Sequence, residues 1–277
     1  LGLLILRRSV SLGLISLRRS VSLGLLGLLS RSSLLDTSGI NPPAHLSIPD
    51  KNALVRKAGS LTITRPTLIP SSAPPTKLTE AVQKSGELTI SAWITPANTS
   101  QKGPARIVSI SRDSSNRNTT LGQEGSKFDA RFRTDKTDSN GTPSLSAGAV
   151  KTQATHLVFT RSRDGRGTLF VNGRAAGNRN FSGAPKNWDK NYRLAIGNEF
   201  TKDRPWLGTF HQVAPYGSAL NENEVAALYK KGHTPPKPQT AAERSEFLFV
   251  NHIEPILARH CLECHDSTTA EGDLDLS

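Results

Sequence analysis

Residues 261–265 read Cys-Leu-Glu-Cys-His, and Cys261 and Cys264 are the two cysteines of the 277-residue chain. A disulfide between them would close a tiny loop and remove little entropy from the unfolded chain. A redox Cys-x-x-Cys needs a thioredoxin-like βαβ setting, which the surrounding sequence does not offer. Tetrahedral zinc needs four ligands. Cys261, Cys264 and His265 supply three, with His252 or His260 as the fourth, but adjacent Cys264 and His265 reach one ion only under strain. Haem of the c type fits the spacing best. Two thiols three residues apart add to the vinyl groups on one porphyrin edge, and the next imidazole takes the iron. The expectation is haem c, with Cys261 and Cys264 as thioether residues and His265 as axial iron ligand.

Other residue groups carry weaker chemistry. Asn198, Glu199 and Asp203 place three oxygen ligands of the kind calcium takes within one short stretch, although a solvated turn is the favoured account of them. Among the three tryptophans, Trp93 lies in a strongly alternating strand and is expected in the core. Trp188, in "KNWDKNY" (186–192), is the best candidate for an exposed ring that stacks on a sugar. Glycoside hydrolysis takes two carboxylates at a fixed separation, and no E-x-D-x-E strand is present. Glu222 and Glu224 stand where a helix begins and suit capping and the helix dipole.

These residues must be positioned by a chain that is 35% hydrophobic, with 22 glycines and 17 prolines and a mean hydropathy of −0.38. That composition favours an all-β domain with many turns. Period-two alternation runs through 86–96 "GELTISAWITP", and strands are expected again at 105–111, 128–133, 155–162, 192–199 and 206–217. In 167–177, Asn172-Gly173 is the two-residue hairpin signal. The first helix expected is 221–232, with Asn221 as cap, Glu224 completing a capping box and Gly232 as the stop. The fold class is therefore mainly β, an antiparallel two-sheet sandwich. "HTPPKPQTAAE" (233–243) reads as a stiff linker, and beyond it apolar residues at three- and four-residue steps predict a helix running from near Ile253 into the cysteines.

At the other end, 7–17 "RRSVSLGLISL" recurs almost unchanged as 18–28, which marks residues 1–35 as low-complexity sequence. The second copy has the layout of an export signal: Arg18 and Arg19, an apolar run from Ser20 to Leu29, then small serines. The run is too short to span a bilayer. The formal charge of +12 raises the question of nucleic acid, but the cations are scattered through polar loops without stacking aromatics or zinc-finger spacing, so no nucleic-acid partner is expected. Such a surface suits acidic polysaccharides.

The phrases "LTISAWITP", "HLVFTRSRDGRGTLFVNGR", "LAIGNE" and "WLGTFHQVAPYGSALNENEVAALY" resemble the laminin G-like, concanavalin A-like jelly-roll family over residues 50–232. Ala214-Pro215-Tyr216-Gly217 stands where that family usually has Ile-Tyr-Asp. The likeness implies a jelly roll that binds a polysaccharide or cell-surface ligand. Residues 244–277 resemble the opening of the planctomycete-type cytochrome c domain, through Pro255-Ile256-Leu257, the Cys261–His265 motif and Gly272-Asp273-Leu274-Asp275-Leu276. That likeness implies a short α-helical cytochrome c-like segment and a redox partner protein. The chain is then expected to be the N-terminal part of a larger exported, periplasmic or extracellular c-type haem protein. The alternative is a carbohydrate- or protein-binding module without redox activity.

Overall fold

A computed structural model of the chain describes residues 25–30, 33–36, 44–57, 60–233 and Cys261. The chain divides into two compact units, Leu1–His233 and Thr234–Ser277. All of the architecture below belongs to the first.

The first unit opens with β1 (Leu25–Ser30), β2 (Ser33–Asp36), β3 (Leu46–Ser47), β4 (Leu54–Lys57), β5 (Ser60–Ile63), β6 (Ile69–Pro70) and helix α1 (Thr76–Ser85). Next come β7 (Leu88–Pro96), β8 (Ala105–Ser111), β9 (Arg117–Glu124), β10 (Lys127–Phe132) and β11 (Leu145–Ala149). The last elements are β12 (Thr155–Arg161), β13 (Arg166–Val171), β14 (Arg174–Asn180), β15 (Arg193–Ile196), β16 (Gly208–Tyr216) and helix α2 (Glu222–Lys231). Every strand pairing is antiparallel, and they form two sheets. Sheet A runs β14-β13-β12-β7-β16-β1-β2-β3, with the β4–β5 hairpin joined to β16; sheet B runs β11-β10-β9-β8-β15-β6.

The alternation seen in the sequence becomes the seam between the sheets. Leu88, Ile90, Ala92 and Ile94 of β7 and Leu157 and Phe159 of β12 pack against Val108, Ile110, Leu121, Phe128, Ala130 and Phe132 of sheet B. This buried apolar layer supplies the main drive for folding. The Asn172-Gly173 turn forms as expected, with both residues at positive φ (52° and 76°), the signature of a type I′ hairpin. Helix α2 carries the expected capping box between Asn221 and Glu224.

Several elements differ from the sequence reading, which marked none of β3 to β6 or β11 as strands. Helix α1 precedes α2 and was not anticipated, because Pro75 at its start offers no side-chain cap; its Leu78 and Val82 are buried. Strand β9 was not anticipated because two of its inward positions, Thr119 and Gln123, are polar, and its apolar alternation is reduced to Leu121. Both polar residues are satisfied inside: Thr119 Oγ1 donates to the Arg131 carbonyl (2.9 Å), and the Gln123 amide donates to the Asn98 carbonyl (2.9 Å) while accepting from the Trp206 indole (3.1 Å). Leu25–Ser30 falls within the stretch read as an export signal and Ser33–Asp36 begins at its end, and both strands pair into sheet A, Leu25 standing opposite Val213 of β16. Strand β5 covers only the first part of the β16 edge, so the ladder beyond Phe210 has backbone groups that a further strand satisfies.

Candidate functional site

The outer faces of the two sheets are unlike. Sheet A is covered by α2, whose Val225 and Leu228 pack on Val158 and Phe170. Beside them Trp93 stacks on His156 (4.9 Å between ring centroids) and on Tyr229 (5.7 Å), and His233 meets its edge at 4.9 Å. Trp93 is buried as expected, but against the helix rather than between the sheets.

Sheet B carries a polar outer face. With Leu194, Ile110, Leu121 and Ala130 pointing into the core, strand pleating turns the alternate residues outward. Ser109 stands opposite Ala195 and Thr120, Thr120 opposite Arg131, and Ser111 opposite Arg193 and Arg117. Arg106 aligns with Gly122 and, one strand further, Asp129. Arg106, Arg117, Ser109, Ser111 and Thr120 are all buried.

Charge on this face is unevenly compensated. Glu199 Oε2 accepts from Arg106 Nε (2.9 Å), and Oε1 accepts from Ser111 Oγ (2.5 Å) and the Phe200 amide (3.0 Å). Burial pushes the Arg106 guanidinium below its ordinary value despite the adjacent carboxylate. Asp129 pairs with Arg131 at 3.2 Å. Among the described residues Arg117 has no carboxylate in contact; it donates to Thr120 Oγ1 (3.3 Å) and to the Ser114 carbonyl, and its Nε has no partner. Burial, then repulsion from Arg106 and Arg131, lowers it to about 9.

At the end of β8 and the start of β15 this face opens into a cleft of about 260 Å³ lined by Ser111, Arg112, Asp189, Asn191, Tyr192, Arg193 and Phe200. The Arg193 guanidinium lies 5.0 Å over the Phe200 ring, a cation–π arrangement that holds both groups at the rim. The Asp189 carboxylate accepts from the Asn191 amide at 2.8 Å, and Arg112 pairs with Asp113 at 2.9 Å. The cleft thus offers a flat ring, guanidinium donors and a carboxylate acceptor, the groups that recognise hydroxyl-rich or anionic ligands.

The residues singled out from sequence are placed differently from one another. Trp188 is not exposed: it is 3% accessible, its ring lies 5.0 Å from Phe132, and its indole donates to the Arg133 carbonyl at 2.8 Å. The short turn Pro185–Asn187 swings it inward, where the apolar ring is buried and its N–H satisfied. Asn198, Glu199 and Asp203 do share one loop, but their oxygens serve protein donors. Asn198 Oδ1 accepts from the amides of Glu199 (2.9 Å) and Arg204 (3.0 Å), and Asp203 accepts from Thr201 Oγ1 (2.5 Å) and Arg204 (2.7 Å). With a guanidinium on Glu199, this set does not fit a calcium ion. Cys261 is a half-buried free thiol in a turn, while Cys264 and His265 lie outside the described residues. Sequence reasoning missed Tyr192, Arg193 and Phe200; for Arg193 the signal available was the polar half of the alternation in 192–199, where Leu194 and Ile196 turn inward.

A two-sheet antiparallel sandwich with one polar outer face is the architecture of a concanavalin A-like jelly roll. The family profile Laminin_G_3, described as the concanavalin A-like lectin/glucanases superfamily, matches residues 71–226, and the chain belongs to that family. No curated protein matches it. Solved structures share the fold at low identity. The receptor-binding domain of botulinum neurotoxin C/D mosaic serotype is 12% identical over 77% of this chain and 51% of its own, with a TM-score of 0.57. The ligand-binding domain of botulinum neurotoxin serotype D in complex with N-acetylneuraminic acid is 12% identical over 76% and 50%, TM-score 0.53. Trypanosoma rangeli sialidase is 16% identical over 74% and 32%, TM-score 0.53. The chain therefore spans about half or less of these proteins' lengths. Among the described residues, no helix is long and apolar enough to cross a membrane.

Proposed function

We propose that the first unit is a carbohydrate-binding module whose ligand occupies the cleft at the end of sheet B. The observation that carries this reading is the cleft's lining, in which Phe200 and Tyr192 stand beside Arg112, Arg193, Asn191 and Asp189. Aromatic surface suits the apolar face of a sugar ring, and the polar groups suit its hydroxyls or an acidic substituent. Among the described lining residues Asp189 is the one carboxylate, and glycosidic cleavage takes two, so the reading is binding rather than hydrolysis. Family membership and sialic-acid-complexed neighbours of the same fold support it. The test is a glycan array followed by calorimetry on the best ligand. Phe200→Ala and Arg193→Ala are each expected to lower affinity about tenfold, near 1.4 kcal/mol. Unchanged affinity in both variants would remove the cleft from the reading.

A second proposal rests on the 261–265 motif alone: the second unit takes haem c through Cys261, Cys264 and His265, in a protein exported to where such haem is attached and served there by a redox partner. The haem would supply one-electron chemistry. The check is a reduced-minus-oxidised spectrum after expression with a c-type maturation system. Colour that acid–acetone extraction leaves on the protein supports covalent attachment; colour fully extracted overturns it.

A further inference from the structure

The sandwich has one side where both sheets end. Among the described residues, strand β14 is the edge of sheet A and pairs only with β13, and β11 is the edge of sheet B and pairs only with β10. Six of the seven residues of β14 are exposed, Gly177 alone being half-buried. The outward N–H and C=O groups of such a strand are a template for another strand.

The space beside it is shaped by small residues. A trough of about 570 Å³ runs between the two edges, with Ser146, Ala147, Gly148, Ala176, Gly177 and Asn178 in its lining. Its base is closed because β11 and β14 touch: a Cβ on Gly177 would stand 2.6 Å from that of Ala147, and one on Gly148 would stand 2.7 Å from Val171 Cγ2. Side chains of an added strand therefore meet a shallow floor rather than the core.

The charge on the trough has one sign. Lys127 lines it, Arg174 and Arg179 are exposed on β14, and neither edge strand contains an acid. Glu124 stands opposite Lys127 in the β9–β10 pair and accepts from the Gly103 amide (2.9 Å), and Asp129 pairs with Arg131 (3.2 Å). This leaves Arg174 and Arg179 as the cations with no carboxylate directly across the sheet. These cations also disfavour a second copy, because antiparallel pairing of β14 with itself would bring Arg174 and Arg179 of two chains together.

From the free ladder, the closed small-residue floor and the exposed cations Arg174 and Arg179, we infer that this edge receives an extended acidic peptide segment as an added strand along β14. Main-chain hydrogen bonds would supply affinity, small alternate side chains would enter the trough, and acidic ones would meet Arg174, Arg179 and Lys127.

The test uses the full chain and a fluorescein-labelled peptide of about eight alternating glutamates and valines, read by anisotropy. Saturable binding is expected, weakening as salt is raised. The double variant Arg174→Glu with Arg179→Glu is expected to lose it at least about tenfold and to gain binding of the matching lysine–valine peptide. Both arginines are exposed, so the melting temperature should hold; should the double variant unfold, Lys127→Glu is expected to weaken binding in the same direction. A backbone N-methylated peptide should not bind. Equal binding of the methylated peptide, or indifference to charge reversal, overturns the proposal. So does sedimentation showing that the protein dimerises through β14 and that reversal abolishes the dimer.

Discussion

The imidazoles of His211 and His233 stack 4.4 Å apart at an interplanar angle of 22°, with His211 Nε2 within 2.9 Å of Thr95 Oγ1. His233, which follows α2, also meets Trp93 edge-on and thereby joins the layer that contains His156. Acid therefore acts on the helix-covered face of sheet A, away from the cleft.

Stability should fall as pH drops through that layer's titration. His156 is buried, and desolvation lowers its imidazole to about 4, against about 6.5 in the unfolded chain. The unfolded state therefore binds the proton more readily between these values. The stabilisation is complete above pH 6.5 and is lost as pH falls through 4, a total of about 3 kcal/mol. His211 is lowered by burial and by His233, which adds loss of the same sign. Urea midpoints measured from pH 7 to 4 should show this slope, and His156→Gln should flatten most of it.

Breaking the Arg106–Glu199 pair should cost more than replacing it. Both side chains are at most 1% exposed, so Glu199→Gln leaves a buried guanidinium without its counter-charge, a loss of about 3–5 kcal/mol. The double variant Arg106→Met with Glu199→Leu should recover much of that loss. Denaturant unfolding of the three proteins measures the difference.

Trp188 and Phe200 should separate stability from binding. Trp188→Ala removes a buried ring and an indole hydrogen bond, at a cost of about 3–5 kcal/mol. Phe200→Ala, at the half-exposed rim, should weaken glycan affinity while changing stability by no more than about 0.5–1 kcal/mol. Thermal melts and calorimetry on the same samples check both.

Gly173→Ala should destabilise by about 1–2 kcal/mol. Its φ is +76°, and the new Cβ would meet the Tyr229 Cβ at 2.9 Å, loosening α2 from Trp93. Near-ultraviolet circular dichroism should register the change in the ring stack.

Local alternation carried most of the fold. Leu88-Ile90-Ala92-Ile94 and Phe128-Ala130-Phe132 mark their inward faces without help from the rest of the chain, and Asn172-Gly173 marks its own turn. Strand β9 escaped because Thr119 and Gln123 are stabilised by partners that only the folded chain supplies. The same reason hid the cleft. Arg106 and Glu199 meet across 93 residues of sequence, and Arg193 finds Phe200 only once the loop after β15 has turned back. Trp188 was misplaced because a polar neighbourhood in sequence, Lys-Asn-Trp-Asp-Lys, says nothing of which way a three-residue turn points its ring.

His233, the last residue of the first unit, is clamped between an indole and a second imidazole. Tension arriving from downstream would reach that aromatic clasp before any strand, and would peel α2 off sheet A as a shutter lifts. The strand ladders behind it would be strained only after the helix had lifted, because side-chain contacts and not backbone pairing hold α2 to the sheet.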